Sequence, residues 1–227
     1  MISHKHKCIF VHIPKAAGTS IEMVFLDDLK LDMDNRHSLF LGASTNKKLG
    51  PRRISHLMAR EYVEQHYISQ ELYNQYYKFA FVREPKSRLF STYKFLQFNE
   101  VMSFDDFINF KLDELLATPK FDFFLKSSYD YLYDSNGNCL VDFIGKFENL
   151  KQDFEKVRNE LIFINTEGKL KHHNKTVNDN KAMINSFFKK IKNYKTSFNK
   201  TNSTELSDNA ERKILQLYKN DYIFFSY

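Results

Sequence analysis

A chain of 227 residues can bury one full core, and nothing in its length calls for a second domain. Hydrophobic residues make up 42%, with 23 Phe and 13 Tyr against six Gly and four Pro, which excludes a disordered or fibrous chain; no window approaches the ~18 apolar residues of a membrane span. A formal net charge of +6 favours an anionic partner without choosing among nucleotide, sulfated glycan, nucleic acid and membrane surface.

The first predicted element is a buried strand over Cys8–Ile13, opening by about residue 7 and so leaving no room for a secretory leader. The expected location is therefore a bacterial cytoplasm, membrane-peripheral at most, with a chain trimmed of its anchor as the alternative. The strand stops at Pro14. Lys15, the small residues Ala16, Ala17 and Gly18, and the hydroxyls of Thr19 and Ser20 follow. Ile21, Val24, Phe25 and Leu29 then recur at helical spacing. A helix opening in this way presents unpaired amides and its positive dipole end to the turn, which suits an anion. Thr19 and Glu22 also have the spacing of a capping box, in which Thr19 caps the helix. A cap accounts for Thr19 and leaves Lys15 to Gly18 unexplained. Lys15 stands three residues before Gly18 with no glycine ahead of it, so this is not the phosphate loop of nucleotide triphosphatases.

Residues 32–50 are polar and turn-rich and read as a loop over the surface. Arg52–Met58 reads as a short strand or extended segment carrying His56 at its carboxyl end, on the sheet edge where Lys15 lies. Ligands bind along that edge in open parallel sheets. Helical stretches follow over Ala59–Tyr67 and Ser69–Tyr76.

A second apolar run, Phe79–Val82, is predicted to be a strand covered on both faces. Arg83 ends it, Pro85 suits the first turn of the next helix, and Leu89, Tyr93 and Leu96 face the core. Arg83 and Ser91 can reach one phosphate if strand end and helix face converge. Each also has a plain reading: Arg83 and Arg88 as solvated charges, Ser91 as a small packing residue.

Pro14-Lys15-Ala16-Ala17-Gly18-Thr19-Ser20 resembles the 5′-phosphosulfate loop of the sulfotransferases, in the version found in carbohydrate sulfotransferases. Phe81-Val82-Arg83-Glu84-Pro85-Lys86-Ser87-Arg88, continuing through Ser91 to Tyr93, is similar to the 3′-phosphate motif of the same enzymes. The resemblance implies a three-layer, P-loop-like α/β fold with a central, mainly parallel sheet flanked by helices, over a single domain spanning 1–227. It also implies the co-substrate 3′-phosphoadenosine 5′-phosphosulfate, leaving adenosine 3′,5′-bisphosphate as product. Lys15, Ala16, Ala17, Gly18, Thr19 and Ser20 would hold its 5′ end, Arg83 and Ser91 its 3′-phosphate.

Ser103 is a predicted helix cap, and Asn136-Gly137 a hairpin turn. Val141–Leu150 is a predicted strand and turn leading into an amphipathic helix over Asp153–Leu161, and it is again similar to the family; Glu148 and Asn149 cap or orient there. The basic loop 170–178 is similar to a late family loop near the nucleotide, which brings Lys175 to the donor; a solvated basic loop is the alternative. His172 and His173 have no carboxylate or cysteine spaced to complete a metal site, so no metal is expected. Cys8 and Cys139 make neither a disulfide framework nor a zinc spacing. Residues 179–207, rich in lysine and asparagine, depart from the family as an insertion. An amphipathic helix from Glu211 runs to Tyr227.

By the resemblance, Lys15 neutralises charge on the bridging oxygen and His56 serves as base toward the acceptor hydroxyl, with Glu61 and Glu64 in reserve. The expected acceptor is a glycan or glycolipid, with specificity in loops 32–53, 95–130 and 179–207, and no nucleic-acid partner. The alternatives are a kinase-like phosphotransferase on the same kind of sheet and a non-catalytic basic glycan- or nucleic-acid-binding module.

Overall fold

The computed structural model describes residues 1–32, 34–41, 54–119, 121–170 and 205–227. Four strands form one sheet in the order β1 (Ile2–Ser3), β2 (Cys8–Val11), β3 (Tyr77–Val82), β4 (Phe143–Lys146). β1 pairs antiparallel with β2; β2, β3 and β4 run parallel, with Phe10 beside Phe79 and Ala80 beside Ile144. This is the mixed, mainly parallel α/β architecture expected, and it sends the chain off the carboxyl ends of three strands at one edge.

Strand alternation sorts the core into layers. Cys8, Phe10, Phe79 and Phe81 pack against Ile21, Val24 and Phe25 of helix α1 (Gly18–Asp28) and against Phe154 and Val157 of the late helix Leu150–Glu160. Ile9, Val11, Ala80 and Val82 face Leu57, Tyr62 of helix α2 (Glu61–Glu64) and Tyr73 of helix α3 (Gln70–Gln75). Each buried phenylalanine ring contributes roughly 2–3 kcal/mol by leaving water. A third, aromatic cluster joins Leu89 and Tyr93 of α4 (Pro85–Phe95) to Phe98, Phe104, Phe107 and Phe124, and to the C-terminal helix Asp208–Leu217 through Ile214. Burial pushes the Cys8 thiol up, while Cys139 is exposed beside the hairpin turn.

Ser103 caps its helix as expected, through the Asp106 amide, and Ser69, expected inside its helix, caps it through the Leu72 amide. Gly137 turns the hairpin at φ 80, with Tyr133 bridging antiparallel to Cys139. Glu148 orients: it accepts from the Glu84 amide at 3.0 Å and the Tyr227 hydroxyl at 2.9 Å.

Three expectations about the fold, and one alternative reading, fail. Ile54–His56 is a 3₁₀ turn, so His56 does not end a strand; the strand beside β2 is β3. Helix α2 is limited to four residues because His66, at φ 58, has already turned the chain. Residues 32–50 are not wholly a surface loop: Arg36–Leu39 forms a 3₁₀ turn, and Leu39 and Leu41 are buried against the α1 face. Arg88 is no solvated charge: at 1% exposure it donates to the carbonyls of Phe124 and Lys126. Among the described residues no helix is long and apolar enough to cross a membrane. Lys175, His172, His173 and nearly all of 179–207 lie outside the described residues, as do Arg52 and Arg53.

Candidate active site

The edge after β2 is a tight turn in which Lys15 and Ala17 both take left-handed backbone, φ 67 each. For residues bearing a Cβ this costs about 1–2 kcal/mol apiece, and such cost concentrates at functional positions. Ala17, at φ 67 and ψ 12, is the N-cap of α1 and no side chain caps the helix. The expected capping box therefore does not form: Thr19 is exposed inside the first turn, and Glu22 is turned to other use. The Ser20 and Ile21 amides both reach the Ala17 carbonyl, at 3.0 and 3.3 Å. The amides of Ala17, Gly18 and Thr19 have no acceptor among the described residues, so three adjacent N–H groups stand open at a helix N-terminus. Ser20 contributes its hydroxyl only.

Lys15 lies half-buried, its ammonium 4.2 Å from the centre of the Phe95 ring. Burial, with the Arg83 charge adding to it, pulls its pKa down to about 8. Arg83 leaves β3 as expected and reaches across: its guanidinium donates to the Lys15 carbonyl at 3.3 Å and its Nε to Ser87 Oγ at 2.9 Å, and it lies 4.1 Å over Phe147. Burial lowers its pKa while Glu148 and Glu84 oppose the shift; the guanidinium stays charged. Among the described residues neither cation forms an ion pair with a carboxylate. Ser91 makes no side-chain hydrogen bond to a described residue. It stands one turn beyond Ser87 on the same face of α4, so the arginine heads the stripe that carries it. Glu84 explains the geometry of this second junction, capping α4 through the Lys86 and Ser87 amides with Pro85 in the first turn.

His56 arrives by a different route from the one expected. Its Nδ1 donates to the His12 carbonyl at 3.1 Å, the two rings meet edge to face at 4.4 Å, and Phe123 stacks on it at 5.3 Å. Because a carbonyl only accepts, Nδ1 carries the proton and Nε2 is the basic nitrogen of the neutral ring. Glu61 is spent on the Met58 amide at 2.7 Å and Glu64 sits 3.8 Å from Arg60, so neither reserve base is placed at the site.

Sequence reasoning passed over His12, Phe95, Phe123 and Phe147, and gave Glu22 only a capping role. A signal existed for His12, a polar residue ending an otherwise apolar strand. The aromatic residues carried none, because they come from separate elements that only the fold brings together.

A mainly parallel sheet whose carboxyl edge carries open helix amides, a lysine and an arginine defines an α/β protein with an edge chemically suited to an anion. The sequence matches the model of the sulfotransferase family over residues 1–227, and the chain belongs to that family, whose membership gives the P-loop-like character of the fold. No curated protein and no solved structure matches it.

Proposed function

We propose that this sulfotransferase moves a sulfuryl group from 3′-phosphoadenosine 5′-phosphosulfate to a hydroxyl of a glycan or glycolipid, with the whole of 1–227 as one domain. The observation that carries this reading is the 3.3 Å bond from Arg83 to the Lys15 carbonyl. It draws two anion-receptive junctions into one site, as a nucleotide phosphorylated at both ends of its ribose requires.

The residues fit such a donor. Gly18 lets an anion approach the backbone, the Ala17, Gly18 and Thr19 amides with the Thr19 and Ser20 hydroxyls take the 5′-phosphate, and Arg83 with Ser91 takes the 3′-phosphate. Lys175, outside the described residues, is added to this set on the family resemblance alone. When bound, the donor supplies an activated sulfuryl group. Lys15 then faces the charge that grows on the leaving oxygens, and a half-desolvated ammonium stabilises it more strongly than one in water. His56 accepts the hydroxyl proton at Nε2, while the His12 carbonyl holds its Nδ1–H in register. Positioning and charge neutralisation carry this chemistry, as they do in phosphoryl transfer.

A thermal-shift titration with adenosine 3′,5′-bisphosphate, followed by labelled-sulfate transfer to a panel of glycans and glycolipids, tests the proposal. Stabilisation by the bisphosphate and label in a glycan are the expected results. Greater stabilisation by ATP with magnesium would overturn the donor assignment. Strongly salt-dependent nucleic-acid binding without a bisphosphate effect would favour a basic binding module instead.

A further inference from the structure

We infer that His12, oriented by Glu22, is a positioning residue that sets both the donor turn and the base. This inference rests on the proposed donor site. Glu22, released from the cap it was expected to share, accepts from His12 Nδ1 at 2.6 Å, with both side chains about a tenth exposed. Phe10 stacks on the other flank of the imidazole at 5.6 Å. A ring gripped in this way keeps one orientation, and its Nε2 edge is driven against Gly18. A Cβ built at position 18 would lie 1.8 Å from His12 Nε2, closer than any real contact. Gly18 has no left-handed backbone to justify its presence; what position 18 demands is room, and the ring of His12 is what takes the room away. The same residue supports His56 twice, through its carbonyl at 3.1 Å and through the ring edge at 4.4 Å. One imidazole is therefore the floor under the amides of the 5′-phosphate turn and the wall beside the proposed base. Displacing it moves the two halves of the reaction apart.

The test is a set of variants measured for bisphosphate affinity by calorimetry, for turnover, and for melting. Gly18→Ala is expected to weaken bisphosphate binding about 100-fold, the scale of an ångström-sized misplacement. With the ring removed, His12→Ala/Gly18→Ala is expected to bind no worse than His12→Ala alone, a non-additivity that contact between the two positions requires. Glu22→Ala is expected to lower kcat about tenfold with melting little changed, because a loosened ring misaligns His56; Glu22→Gln, whose amide oxygen still accepts from Nδ1, restores kcat to within about threefold. Equal losses from Gly18→Ala with and without His12, or a Glu22→Ala whose only effect is a lower melting temperature, would overturn the inference while leaving the donor site in place. Failure of the unmodified protein to bind the bisphosphate would instead remove the proposed donor and this inference with it. Should His12→Ala not fold, the Glu22 pair of variants decides the matter alone.

Discussion

The two ends of α1 handle charge in opposite ways. At the carboxyl end, Asp28 is buried and its carboxylate accepts from the Ile164, Asn165 and Thr166 amides, the Thr166 hydroxyl and His6 Nε2, at 2.7 to 3.1 Å. Burial pushes its pKa up, and those donors overcome it, holding the carboxyl at about 2. Every lone pair is spent inside the protein. At the amino end, three amides have no acceptor among the described residues, and the Arg83 guanidinium donates to the Lys15 carbonyl with neither side chain in an ion pair with a carboxylate among those residues. A charge whose partners are all inside the protein stabilises the fold; two neighbouring cations with no ion pair of their own among the described residues are what the proposed anion would neutralise. The difference separates structure from site within one eleven-residue helix.

Substituting the open end should impair catalysis or donor binding and spare the fold. Lys15→Ala is expected to lower kcat about 1,000-fold, as loss of a preorganised charge at a reacting oxygen does, with an unchanged melting temperature; full sulfate transfer by this variant would break the comparison. Arg83→Ala should raise the donor KM about 100-fold, the worth of charge-assisted bonds to a phosphate, and leave kcat at saturation within a few fold.

The closed end should answer the other way. Asp28→Ala strands three amides and a histidine, and a loss of about 3 kcal/mol in denaturant unfolding is expected, with kcat retained well below the melting point. Its sign with pH follows from the lowered pKa: the carboxylate stabilises above the ordinary range near 3.8 and loses that contribution as pH falls toward 2. The smallest effect sharpens the open end. Because Lys15 is lowered to about 8, it discharges as pH rises past that value, so bisphosphate affinity should fall about tenfold between pH 7 and 9. A flat profile across that interval would mean that Lys15 is not in contact with the anion.

Both strand-to-helix junctions were legible because their chemistry is contiguous: a run of apolar residues, a stop, and then a lysine or arginine within a few positions. Pro85 and Ser103 follow local rules that the fold leaves intact. The capping box failed for a physical reason. Its spacing is also the spacing that sets a glutamate facing back toward the preceding strand, and Ala17 in left-handed backbone starts the helix too early for Thr19 to serve as cap. His56 was given the wrong support: its place is fixed by a carbonyl 44 residues away in sequence and by Phe123 from a third segment. Contacts of that kind have no local signature. The burial of Arg88 was hidden likewise, since its partners are carbonyls of the 124–126 stretch.

The placement of the two thiols makes the molecule its own folding clock. Cys139 lies open to reagent, whereas Cys8 is sealed within β2 with its reactive anion suppressed. One equivalent of a maleimide should therefore label the native chain at once, and the second should follow only as fast as the sheet opens. Slowing of that second event by a bound nucleotide would report occupancy of the turn that follows Cys8's own strand, with no engineered probe.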